Sequence, residues 1–319
     1  MQPMQIEKYL YLLILIPAAS AVAGFSPTAL RLRPILVLLS TNDAIIAIMI
    51  AVIIILTSNA VFAVDTWGGY NVPVDIDING SFIKCVEKPV LVDSTTYIPL
   101  RAFSDAIGGS IGWDADEKAA TMTKSGHTFV FYTQEGYCTI DGVKKNHHSL
   151  IYKDLTFIPV RAVSETLNYG VKWDDFNLVV KITASGVKVP ESCKDKSYTY
   201  DDIKYLGKIT HIESGSQHFK VKLGVAGVVM NRVKSSEFPN TVKGVIYDTN
   251  YGVQFPPVHT DKINVTPSKD SIIAAKCVLN GVNIVGKSLY FNDVAYASSS
   301  WAHNNRPHFG NIYDMSFYE

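Results

Sequence analysis

Charge is scarce in this sequence, and it balances to nothing. Lys and Arg number 29, Asp and Glu number 29, and together they make up 18% of 319 residues. No block of like charge occurs, so the chain lacks the electrostatic footprint of a nucleic-acid binder. Cysteine is thin too, with four residues, Cys85, Cys138, Cys193 and Cys277, widely scattered. That spacing is no disulfide framework for an exported chain of this length, and one optional bridge is the most expected of it. Zinc-type CxxC pairs and HExxH are both missing. His211 and His218 bracket Glu213, but the P-C-x-x-C partner of zinc deaminases is absent. No metal and no organic cofactor are expected.

Apolar residues are plentiful, at 47%, enough for two or three domains with sizeable cores. Residues 1–63 stand apart as a signal or membrane-targeting region. They hold two uncharged apolar runs, 9–25 and 44–56. The second is short against the roughly 20 residues of a membrane span and fits the h-region of a signal peptide. Val61 and Ala63 are small side chains that a signal peptidase accepts. Cleavage after Ala63 and export of the remainder are expected, which makes the protein secreted or envelope-associated. Two membrane spans would be the alternative, with the body outside if the second ends facing out.

Residues 64–184 contain a tandem repeat. "TTYIPLRAFSDAIGGSIGWDADEKAATMT" starts at Thr95 and "LTFIPVRAVSETLNYGVKWDDFNLVVKIT" at Leu155. Pro99 and Pro159, Arg101 and Arg161, Trp113 and Trp173, and Asp114 and Asp174 are each 60 apart, the mark of duplication. Each copy reads strand, short helix, strand, turn, strand. Leu100, Phe103 and Ile107, like Val160, Val163 and Leu167, follow helical spacing. A Pro precedes each helix, where a missing N–H costs nothing. Asn79-Gly80 and Asp141-Gly142 are hairpin signals. The repeated Pro, Arg, Trp and Asp are read as packing and turn residues. Residues 185–197, without hydrophobic period and rich in Ser, Gly, Pro and Lys, are read as a linker.

Residues 198–319 open with Thr199 and Asp202 at capping-box spacing. At about 100° per residue, Glu213 falls between Leu206 and Ile209 on the apolar stripe that starts at Ile203. "SGS" then ends the helix. A carboxyl there either leans into solvent or sits in an apolar cleft. In the second case its pKa climbs from about 4.3 toward about 6, the range a general acid needs near neutral pH. Further helices are expected over Leu223, Ala226, Met230 and Val233, from near Asn240 or Thr241, and over "SKDSIIAAKCVLNG".

The two repeats resemble the copper amine oxidase N-terminal domain, a stalk module of exported proteins. The repeat's only histidines are His127, His147 and His148, without matching positions across the copies, and copper(II) wants several imidazoles. No metal is therefore assigned to it. Residues 198–319 resemble the SleB-type, spore-cortex-lytic cell wall hydrolases through "HIESGS", "GVAGVVMNRV", "FPNTVKGVIY", Gln254-Phe255, Tyr290-Phe291 and Trp301, all in the right order. The resemblance implies a multidomain chain: an α+β stalk of two repeats, then a mostly α, lysozyme-like catalytic domain. It also implies Glu213 as the single catalytic acid/base and Gln254, Phe255, Tyr290, Phe291 and Trp301 as substrate-binding residues. The substrate would be the peptidoglycan glycan strand, cut between N-acetylmuramic acid and N-acetylglucosamine by a lytic transglycosylase. A true muramidase would need a second carboxylate, for which Asp293 is the candidate. A non-catalytic wall-binding protein is the rival from another class. It is kept open by the C-terminus, where no His follows Gly310 as the family's close would have it. Asn231 and Arg232 are read as bracing their helix. The stalk is expected to bind wall polymer, to bind another protein, or to serve as a spacer.

Overall fold

The computed structural model describes residues 63–250 and 252–319. The expected signal or membrane segment at 1–63 lies outside the described residues except for Ala63. Among the described residues no helix is long and apolar enough to cross a membrane.

The repeat is visible as two equivalent runs. In the first, the strand Thr95–Pro99 leads into helix α1 (Leu100–Ile107) and the hairpin Ser110–Asp114/Ala119–Lys124. In the second, Leu155–Pro159 leads into α2 (Val160–Thr166) and the hairpin Gly170–Asp174/Val179–Thr183. Pro99 and Pro159 stand at the helix N-caps, and Gly108 closes α1 with φ of 69°, the left-handed cap a Cβ would oppose. The residues at helical spacing are buried: Phe103 and Val163 are 0% and 1% exposed. Asn79-Gly80 and Asp141-Gly142 have positive φ throughout, as the two-residue hairpin turn demands.

The copies meet about a pseudo-twofold axis. Their leading strands pair antiparallel with Ile98 opposite Ile158, the same position in each copy, at the centre of a four-stranded sheet. A second four-stranded sheet closes the module, its strand Val179–Thr183 running parallel to Asp75–Ile78. A five-stranded antiparallel meander spans residues 110–145.

Two sequence expectations change here. Asp114 and Asp174 do organise turns, accepting backbone N–H bonds from Glu117 and Asn177 at 3.0 Å. The tryptophans and arginines, however, are not packing residues. Trp113 and Trp173 are 58% and 37% exposed, because their strands lie at sheet edges, and Arg101 and Arg161 are exposed on α1 and α2. The segment 185–197 is also no free linker. It holds a 3-10 turn at Glu191–Cys193, buries Val189, pairs Lys194 with Ile83 and binds Lys88 through Asp195 at 2.6 Å. Its polar residues lack a hydrophobic period because they are fixed by backbone and charge contacts instead. All four cysteines are unpaired.

The second half is built on α3 (Tyr200–Ser214), α4 (Phe219–Lys234), α5 (Val242–Ile246), α6 (Lys269–Leu279) and α7 (Trp301–Asn305). A three-stranded antiparallel sheet, Tyr290–Asp293, Met315–Tyr318 and His308–Ile312, completes it. That sheet was not foreseen: its strands are short and mix aromatic with polar residues. The second stalk sheet docks on α3 and α6. Phe82 and Val179 pack with Tyr198, Ile203 and Ile272, and Lys276 reaches from α6 to Asp75 at 2.8 Å.

Candidate active site

Glu213 stands in the last turn of α3. Thr199 and Asp202 bond reciprocally at the helix start, and Ile203, Leu206 and Ile209 are fully buried, so the register is fixed by the core. After Ser214 the helix stops, and the turn that follows is pinned from α4. Lys222, 1% exposed, donates to the carbonyls of Gly215 at 3.0 Å and Gln217 at 2.6 Å and pairs with Asp270 at 3.3 Å. A buried ammonium thus holds the end of the helix that presents the glutamate.

The Glu213 side chain is half-buried, and among the described residues no cation comes within ion-pair distance. Burial raises its carboxyl pKa, and the positive charge of Arg232 only partly opposes that rise. The acid is thereby biased toward holding its proton. Arg232, on α4, is itself 4% exposed. Its Nε donates to the Leu289 carbonyl at 2.7 Å, and its guanidinium lies 4.9, 5.2 and 5.3 Å from the rings of Phe238, Phe255 and Tyr290. Burial depresses its pKa to about 10. Its Nη1 has no hydrogen-bond partner among the described residues. Asn231 does brace, donating to Gly286 and Ser288 carbonyls, and Arg232 braces through the Leu289 carbonyl while also lining the cleft.

The cleft has two lobes. The smaller, about 380 Å³, contains Glu213, Gln217, Asp293 and Met315. The larger, about 650 Å³, lies beyond it and is lined by Glu237, Tyr290, Trp301 and Arg306. Arg232, Gln254, Phe291 and Asn292 line both, which makes the lobes one groove with the glutamate in its smaller part. The structure therefore brings together Glu213, Gln254, Phe255, Phe291 and Asp293, with Tyr290 and Trp301 in the larger lobe.

These residues differ in what they offer. Trp301, 58% exposed, presents its indole at the start of α7 with the Arg306 guanidinium 5.6 Å from the ring. Tyr290 does not: its ring contacts the guanidinium groups of Arg232 and Arg306, and its hydroxyl accepts from Arg306 at 3.1 Å. Phe255 is 2% exposed, so as a stacking platform it is corrected to cleft wall, since Arg232 and Phe291 cover it. Phe291 sits between Phe255 and Phe317, 6.4 Å from each. The Asp293 carboxylate caps the following 3-10 turn through Ala295 N–H at 2.8 Å. Arg232, Asn292 and the Glu237–Arg306 pair at 3.0 Å escaped sequence reasoning. Asn292 alternates with Phe291 on a strand whose existence was the missing signal. His211 and His218 are engaged by Ser268 and Tyr313.

Residues 77–182 and 143–217 match the model of the copper amine oxidase N-terminal domain, and residues 216–318 that of Cell Wall Hydrolase. The latter match begins just after Glu213. A spore cortex-lytic enzyme of Bacillus cereus is 32% identical over 116 residues, covering 36% of this chain and 42% of that protein. One of Oceanobacillus iheyensis is 29% identical over 115 residues, covering 36% and 39%. The chain thus spans about two fifths of the length of these curated relatives. Among solved structures, the catalytic domain of the germination-specific lytic transglycosylase SleB from Bacillus anthracis is 30% identical, covering 39% of this chain and 99% of that one with a TM-score of 0.36. The C-terminal part of the chain belongs to the cell wall hydrolase family of SleB type, behind a copper amine oxidase N-terminal-like domain.

Proposed function

We propose that the protein is an exported peptidoglycan-lytic enzyme that cuts the glycan strand between N-acetylmuramic acid and N-acetylglucosamine, with Glu213 as acid and base. The observation that carries this is a half-buried, unneutralised carboxyl with a raised pKa in the wall of a two-lobed groove. The curated relatives, spore cortex-lytic enzymes, supply the substrate class.

Protonated Glu213 gives its proton to the glycosidic oxygen as the bond to muramic C1 breaks, and positive charge develops on that sugar. The C6 hydroxyl of the same sugar attacks C1, and the Glu213 carboxylate takes its proton. The products are a free 4-hydroxyl on one fragment and a 1,6-anhydro end on the other, with no water consumed. An intramolecular nucleophile removes the need for a second carboxylate. The exposed Trp301 indole offers a sugar its flat face, and Gln254 and Asn292 offer amides to its substituents.

A hydrolytic variant is favoured by one observation, the presence of Asp293 in the same small lobe as Glu213. There it would serve as the second carboxylate that hydrolysis needs. Mass spectrometry of muropeptides released from purified peptidoglycan decides between them. Ends one water lighter than reducing sugar, absent with Glu213→Gln, are expected. Reducing ends would transfer the reaction to the hydrolytic scheme, and no release at all would leave a wall-binding protein.

A further inference from the structure

Trp113 and Trp173 hold the same place in the two repeats, and both indoles face solvent, 58% and 37% exposed. Keeping a large apolar ring uncovered in both copies points away from packing, where such a ring would be buried. In the second copy the indole lines a groove of about 470 Å³. Thr95 and Thr96 come from the central sheet, Arg161 from the start of α2, and Lys269 from α6 of the hydrolase half. The groove therefore lies where the first repeat's leading strand, the second repeat and α6 of the helical half come together.

Its charges decide what it can hold. Lys269 and the Trp173 indole N–H both donate to Asp175 Oδ1, at 2.8 and 3.2 Å. Arg161 is paired with Glu165 at 3.3 Å. Each cation has its own carboxylate, so the groove carries no surplus for a polyanion. With its N–H committed, the indole offers only its face, a surface for the C–H side of a pyranose ring. The hydroxyls of Thr95 and Thr96 and the outward edges of Asp175 and Arg161 suit hydroxyl and acetamido groups. The volume is that of a small-ligand site.

We infer that this groove binds an uncharged N-acetylated glycan segment, a second hold on wall polysaccharide separate from the Glu213 cleft. The choice of glycan rests on the proposed wall substrate. Such a hold would keep the enzyme on the insoluble polymer between cuts.

The test is co-sedimentation of the full chain carrying Glu213→Gln with purified sacculi. Added Trp173→Ala is expected to weaken retention about ten-fold, while Trp173→Phe restores most of it and Trp113→Ala changes nothing. Retention should survive molar salt, since the groove has no net charge. Equal retention with Trp173→Ala overturns the inference, and so does retention abolished by salt, which would mean a charged wall polymer. If Trp173→Ala fails to fold, Arg161→Ala at an exposed position carries the same expectation. Turnover of the parent chain is read separately. A chain that cuts but ignores Trp173 loses the groove and keeps the enzyme, and one held through Trp173 that never cuts does the reverse.

Discussion

Lys276 and Asp75 form an ion pair of 2.8 Å, with side chains 0% and 6% exposed, between a helix of the hydrolase half and a strand of the stalk. The same ammonium donates to the carbonyls of Asn177 and Leu178 at 2.8 and 2.7 Å, and Tyr198 donates to Asp75 at 2.8 Å. The stalk is therefore built into the wall of the catalytic half, fixed at a polar node with every partner supplied.

Removing one member of that node leaves a buried charge behind. Asp75→Asn is expected to cost roughly 3–5 kcal/mol, read as a lower urea midpoint. Adding Lys276→Met to it should recover part of the loss, because the orphaned ammonium goes with it.

Glu213→Gln keeps the shape of the side chain and removes its proton chemistry. Muropeptide release should fall by about 10²–10⁴, while the thermal midpoint holds or rises. A loss of activity accompanied by unfolding would argue against an acid/base role.

Because burial raises the Glu213 pKa, the folded state binds this proton more tightly than the unfolded chain does. The carboxylate therefore weakens the fold above the folded-state pKa, and the penalty vanishes below the ordinary value of 4.5. The stability gained in Glu213→Gln should thus be largest near neutral pH and fade as the solution is acidified, in paired thermal melts across pH. Activity that depends on the protonated acid should decline as pH rises through the same group.

Arg232 is the charge that restrains this rise. Arg232→Gln should move the alkaline limb of the pH–rate profile to higher pH. It should also lower stability, since the Leu289 carbonyl loses its guanidinium donor. An unmoved limb would mean that the charge does not reach Glu213.

Gly224 on α4 faces the tip of the buried Phe317 ring, and a Cβ there would stand 2.5 Å from Cζ. Gly224→Ala should cost about 1–3 kcal/mol through overpacking, seen as a lower thermal midpoint. Phe317 pairs with Phe291 on the neighbouring strand, so release rates should drop as well.

Sequence carried much of this. The 60-residue offset announced the duplicated stalk, and the helical spacing of Ile203, Leu206 and Ile209 put Glu213 on an apolar face. Capping chemistry marked where α3 begins, and motif order pointed to Gln254, Phe291 and Trp301, which line the cleft. Local rules sufficed because periodicity and caps act within one helix turn. The place of Arg232 in the cleft was not legible, because its neighbours Phe238, Phe255 and Tyr290 come from three separate segments, nor was the burial of Phe255, which depends on what covers a ring.

What the sequence determined by itself is the duplicated repeat, the principal helices and the one carboxylate set against the hydrophobic pattern of its helix. Only tertiary structure decided whether that carboxylate would lean into water or stay unpaired in a groove, because desolvation is a property of everything packed around it. The same holds for Trp173 and for Lys276. Whether an indole is covered, or an ammonium finds its carboxylate from residue 75, depends on distant segments meeting, and spacing along the chain cannot encode that locally.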